Sequence, residues 1–173
     1  VDRTAGGVPA LYPSLPEMVS VTPPDKAEFR AFWCDAFHDG FKTAAQVDQL
    51  VADAHQANAN ALIVQMRRRA DTYYPSPYDP FAADADPNFD ALAYLVQKAH
   101  AAVPPIEVHA WAATVPVWNG ATPPSNSAHI TNTHPEYLTR SVDGGLFDGS
   151  NLNLDPGHPG AQQYITDVYK DMV

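Results

Sequence analysis

The sequence predicts an α/β fold in which parallel strands alternate with helices along the chain. Three observations carry that expectation. Segments of strand-like composition alternate with segments of helical apolar period, in the order strand, helix, strand, helix, strand, helix. The middle strand candidate, Ala61-Leu-Ile-Val-Gln-Met66, is an almost unbroken apolar run bounded by polar residues, as in a parallel strand covered on both faces. Connections from helix to strand are short, at residues 58–60 and 103–105, whereas those from strand to helix are long. In parallel α/β folds the long loops leave the C-terminal strand ends and build the ligand site there, so the working face is identifiable before any motif is.

Residues 1–26 precede this pattern. Their prolines (Pro9, Pro13, Pro16, Pro23, Pro24) and the Gly6-Gly7 pair disfavour helix and central strand alike, which predicts an arm or linker. Residues 27–173 form the domain. The first strand is expected at Phe29–Cys34, rich in aromatics. Thr43 and Gln46 have the spacing of a capping box, in which each side chain satisfies an orphan backbone N–H, and Val47, Leu50, Val51 and Ala54 then fall on one helical face. Asn58 and Asn60 mark that helix's end and Ala61–Met66 is the second strand. Asp86-Pro87 offers an N-cap with proline at the first helical position, and Leu92, Leu95, Val96 and Ala99 give the second helix its stripe. Pro104-Pro105 closes it before a third strand at Ile106–Trp111. A loop of about 45 residues follows, far beyond the usual length of about 4 to 6, and such length usually means function. Pro159 opens the last helix.

Composition sets further bounds. The 173 residues, 45% of them hydrophobic, amount to one domain with a core of its own. Ten Lys and Arg against twenty Asp and Glu give a net charge of −10, which argues against nucleic acid and anionic membrane as partners, since both are held mainly by basic side chains. No apolar run approaches the roughly 20 residues of a membrane span. Cys34 is the lone cysteine, so no internal disulfide is available. The histidines show no HxH or HExxH spacing, so no metal is expected, and no nucleotide-binding or serine-hydrolase signature occurs. The chain opens at Val1 without a basic-then-apolar leader and reads as a processed or excised product.

Several motifs stand where this organisation puts the working face. Phe29-Arg-Ala-Phe-Trp33 lies in the first strand, Gln65-Met-Arg67 with Asp71 and Tyr74-Pro75-Ser76 ends and follows the second, and His109-Ala-Trp111 lies in the third. His134-Pro-Glu-Tyr137 and Leu154-Asp-Pro-Gly157 come later. In this order and spacing the set resembles the glycosyl hydrolase-like family 10, bacterial glycosidases built on a (β/α)₈ TIM-type barrel, over about residues 25–173. The resemblance implies acid/base hydrolysis of a glycan, such as a bacterial cell-wall or other extracellular polysaccharide, with no cofactor and at an extracytoplasmic location. Two departures stand out. Arg68 and Ala70 replace the proline and glycine of the family pattern, which predicts a less tightly turned or differently charged loop. A whole barrel takes about 250 residues, so the chain is expected to be its first three βα units. The principal acid or base would then lie after a fourth strand, and the remainder of the barrel or another chain would cover the open sheet edges.

Glycoside cleavage usually uses two carboxyl groups about 5 to 9.5 Å apart. Asp71 and Asp35 are the catalytic candidates, although Asp35 also suits a loop cap and Asp71 an ion pair with Arg67 that pins the loop. Glu136, Asp148 and Asp155 are further carboxylates near the expected strand ends or in the long loop. Gln65, Arg67, Tyr74, His109, Trp111 and Asp155 are the candidate substrate-binding residues: an amide at the end of an apolar strand, a planar guanidinium, and aromatic faces that stack on sugar rings. Trp33 stacks in the same way, or belongs to the core. His109 and Trp111 alternate with Ala110 and so should face the same side. Tyr73, Tyr74, Tyr78 and Trp118 suit either an aromatic rim or packing that stiffens the loop, and Arg68 and Arg69 a solvated pair. The alternative of another class is a non-catalytic glycan-binding or cell-surface module on the same scaffold.

Overall fold

The apolar runs form a parallel sheet. The computed structural model describes residues 28–120, 122–148 and 151–173, with β1 at Ala31–Cys34, β2 at Ala61–Arg67 and β3 at Glu107–Ala112. The arm expected at residues 1–26 lies outside the described residues. The strands pair in parallel in the order β1-β2-β3, so the segment that is apolar on both faces is the central one.

Helices α1 (Ala44–Gln56) and α2 (Ala91–Ala101) cover one face. Val47 and Ala54 from α1 and Leu95 and Ala99 from α2 share one core with Leu62, Val64 and Met66 of β2. Thr43 caps α1 through Gln46 N–H, as the spacing predicts. Gln46 does not complete the reciprocal half, because its Oε1 accepts Lys42 N–H at 2.8 Å. The second helix starts later than expected: Asp90 is its N-cap, accepting Ala93 N–H at 2.9 Å, while Asp86 takes Asn88 N–H and makes a separate turn.

The long connection after β3 is not irregular. Residues 113–158 hold β4 (Pro116–Trp118), a one-turn helix α3 (Ile130–Thr133), a 3₁₀ turn at Pro135–Tyr137, β5 (Phe147–Asp148) and β6 (Asn151–Asn153). The three short strands make an antiparallel sheet in the order β4-β6-β5. Their buried residues Val117 and Leu152 join Ile130, Leu138 and Leu154 against Ala161, Tyr164 and Val168 of α4 (Pro159–Asp171) in a second core. His158 caps α4 and Pro159 stands at its first position.

Side-chain contacts show how the parallel sheet curls. On the face away from the helices, Trp33 of β1 meets Trp111 of β3 across β2, edge to face, with ring centroids 5.5 Å apart. In the hydrogen-bonded register Trp33 is level with Ile63 and Ile63 with His109, so Trp33 contacts a residue displaced by two positions over two strand steps. One residue per strand is the stagger of an eight-stranded barrel of shear 8, in which alternate strands supply each interior layer. The sheet therefore has the curvature of a TIM-type barrel wall, and the Trp33–Trp111 face is its interior side. That side stands open: Trp33 is 68% exposed and Phe29 58%.

Candidate functional site

Trp33 and Trp111 are each the penultimate residue of their strand, so their pair lies at the C-terminal mouth of the open face. Ile63 of β2 and His109 of β3 lie behind them on the same side. His109 meets Phe29 edge-on at 5.5 Å and places Nε2 3.2 Å from a Glu107 carboxylate oxygen. Gln65 is buried between neighbouring strand ends, where its Oε1 accepts the N–H of Ala36 at 3.0 Å. Its Nε2 has no acceptor among the described residues and remains available for a hydroxyl.

Asp35 follows β1 directly. One of its oxygens accepts the N–H groups of Phe37 at 2.7 Å and His38 at 3.2 Å, and His38 Nδ1 lies 2.9 Å from that same atom. The Phe37 amide first, and the His38 ring after it, hold this carboxyl below the usual carboxylate range. An ionised, partly exposed carboxylate at a strand end suits a base or nucleophile, not a proton donor.

The loop leaving β2 departs most from expectation. Arg67 is fully buried and does not pair with Asp71. Its Nε donates to Asp79 at 2.7 Å, its Nη2 donates to Tyr164 Oη at 2.9 Å, and its Nη1 donates to the Ala113 carbonyl. Tyr164 in turn donates to Asp79. Burial opposes the Arg67 charge, but the adjacent Asp79 carboxylate and Tyr164 oxygen outweigh it and push the guanidinium up. With its donors spent inside the protein, Arg67 acts on the mouth through what it holds, the backbone just past β3. Asp71 instead accepts Arg69 N–H and Arg68 Nη2, both at 2.8 Å, so both its oxygens brace the loop. Arg68 is no solvated surface residue, because Asp84 joins Asp71 as its partner.

Ala70 corrects the expected looser turn. Its φ of 55° is the left-handed conformation that glycine adopts freely, so the loop turns tightly and alanine bears the strain. The surroundings hold it there. His129 is buried and its Nε2–H donates to the Arg69 carbonyl at 2.8 Å, while its Nδ1 faces Thr131 Oγ1 at 3.0 Å and the Ala70 methyl packs in the second core. Burial pushes the His129 pKa down despite the Arg69 carbonyl, so the ring is neutral.

The aromatic rim is also corrected. Tyr73 and Tyr74 are buried in the main core, and only Tyr78 is substantially exposed. Burial first, then the Asp171 charge, push the Tyr74 hydroxyl up to about 12. Trp118 donates its indole N–H to the Thr122 carbonyl at 2.6 Å and packs edge-on against His129. Asp155 accepts Gly157 N–H at 2.8 Å in a turn before α4, beside a small cavity of about 130 Å³ that Thr114, Val115 and Ile165 also line. Among the described residues no group of three His, Cys, Asp or Glu is arranged to hold a metal ion.

Sequence reasoning missed Asp79, Tyr164 and His129. An arginine ending a buried strand demands a carboxylate, which is the one available signal, but the loop offers several aspartates and spacing does not choose among them. Tyr164 and His129 meet the loop from residues 97 and 60 positions away in sequence, which no local pattern reveals.

Comparison with known proteins places this geometry. A family model described as glycosyl hydrolase-like 10 matches residues 28–173. The chain is 27% identical over 133 residues to the glycosyl hydrolase YngK of Bacillus subtilis (strain 168), a match that covers 72% of this chain and 24% of that relative. The chain thus spans about a quarter of the relative's length. A crystal structure of a hypothetical protein from Ruminiclostridium thermocellum ATCC 27405 shares the fold, with a TM-score of 0.58 at 15% identity over 80% of this chain and 68% of that one. The barrel-type stagger of the sheet and the extent of the family match lead to one assignment: the chain belongs to the glycosyl hydrolase-like 10 family.

Proposed function

We propose that these residues supply part of the glycan-binding mouth of a glycoside hydrolase acting on a bacterial cell-wall or other extracellular polysaccharide, and hence outside the cytoplasm. The observation that carries the reading is the Trp33–Trp111 pair, two large aromatic side chains at the C-terminal mouth of a barrel wall. In this reading Trp111 and Trp33 stack on sugar rings, Gln65 Nε2 donates to a hydroxyl, and Asp35 is the ionised member of a carboxyl pair. The proton donor comes from beyond the third βα unit. Arg67 and Asp71 shape the mouth without touching the sugar.

A second reading, a glycan-binding module without turnover, draws on the loop after β2, where both Asp71 oxygens are committed to neighbours. One experiment separates the two. The full-length protein is incubated with bacterial cell-wall glycan strands, and reducing ends and binding are followed together. Hydrolysis predicts new reducing ends, about 100-fold slower in Asp35→Asn, the lower end of a general acid/base contribution. Binding without release would favour the module, and absence of both would end both readings.

A further inference from the structure

Arg69 stands in the loop leaving β2, at the C-terminal end of the parallel sheet. Eight lysines and arginines lie among the described residues. Six of them (Arg30, Lys42, Arg67, Arg68, Lys98 and Lys170) have a carboxylate within 4 Å, as expected in a chain with twice as many acidic as basic residues. Arg140, exposed in the long connection after β3, and Arg69 have none among the described residues. Arg69 differs from Arg140 in being partly buried and held in place. Its guanidinium lies over the half-exposed ring of Phe37, 4.9 Å from the centroid, so the loops leaving β1 and β2 meet through this pair.

The local structure leaves this cation without a carboxylate partner among the described residues. Asp71, the nearest carboxylate in sequence, takes the Arg69 backbone N–H on one oxygen and Arg68 on the other. The Arg69 carbonyl is fixed by His129 and the next residue by its left-handed turn, so the backbone fixes the direction in which the side chain leaves. Burial first and the neighbouring Arg68 second both disfavour its charge. A planar cation over an aromatic ring, its side-chain N–H groups without an acceptor among the described residues, matches the bidentate geometry of a carboxylate.

We propose that Arg69, seated on Phe37, binds the carboxylate of an acidic sugar and so selects acidic over neutral glycans. The proposal rests on the glycan-binding reading and adds the substrate's charge to it.

The test compares binding of the full-length protein to two acidic tetrasaccharides, alternating N-acetylglucosamine–N-acetylmuramate and tetragalacturonate, with each one's carboxyl-reduced counterpart. The proposal predicts tighter binding of at least one acidic glycan than of its reduced form. Arg69→Gln should remove that preference, weakening acidic binding by about ten-fold while leaving the reduced form unchanged, which is the loss of one charge-assisted pair. Arg69→Lys, which keeps charge without the fork, should recover part of the preference, and Arg140→Gln should behave as wild type. Equal binding of acidic and reduced glycans by the wild type, or equal loss of both in Arg69→Gln, overturns the proposal and leaves the glycan reading standing. No binding of any of the four removes that reading and the proposal with it.

Discussion

At the scale of single residues, the mouth depends on a few strained or buried side chains. Ala70 occupies a conformation that costs a non-glycine residue about 1–2 kcal/mol, and its methyl is fully buried. Ala70→Gly should be within about 1 kcal/mol of neutral, because relief of the turn is offset by backbone entropy and lost packing. Ala70→Val adds a β-branch to a left-handed turn in a filled site and should cost about 2–4 kcal/mol in denaturant melts. Equal stability of all three would show that the turn is not strained.

His129 makes the stability of the fold pH-dependent. Its folded-state pKa lies below the ordinary imidazole value of about 6.5, so the unfolded state binds the proton first. The stability that its neutral form contributes is present above that value and is lost as pH falls through it toward the depressed folded value. Melting temperatures from pH 8 down to 5 should therefore fall more steeply for the wild type than for His129→Gln. Parallel curves would mean that His129 does not titrate in the fold.

At the scale of elements, the Arg67–Asp79–Tyr164 network ties the loop after β2 to α4 and to the backbone past β3. Asp79→Asn leaves a buried guanidinium without its counter-charge and should destabilise by about 3–5 kcal/mol. A loss under 1 kcal/mol in chemical denaturation would contradict the burial of the pair. The elements whose pattern is local were readable in the sequence. The two-sided apolar run became the central strand, Thr43 and Pro159 opened the helices expected of them, and the longer connections run from strand to helix as expected. The Asp86-Pro87 pair, read as the cap of the second helix, instead makes a separate turn, and Asp90 caps the helix four residues later. The small antiparallel sheet has strands of two or three residues that exist by pairing with one another and packing on α4, so period-two alternation had no length over which to show. The candidate site divides the same way. Strand register, readable as alternation, put His109 and Trp111 on one face, whereas the partners of Arg67 and Asp71 depend on long-range contacts.

At the scale of the whole molecule, the open face sets the behaviour of residues 28–173. The outer edges of β1 and β3 are unpaired within the parallel sheet, and Phe29, Trp33 and Trp111 line an apolar surface between them. Such edges and surfaces recruit partners. Residues 28–173 produced by themselves should associate in light scattering, and a monodisperse monomer with a cooperative melt would contradict the barrel-wall interpretation of this face.

A glycan seated at the Trp33–Trp111 mouth would shield both indole rings from solvent. Hydroxyl-radical footprinting of the full-length protein, read by mass spectrometry with and without a bound cell-wall tetrasaccharide, measures that shielding. Both tryptophans should be oxidised in the free protein and protected when the glycan binds. If the glycan binds while Trp33 and Trp111 are oxidised equally in both states, or are unreactive in both, the mouth is not where the sugar sits.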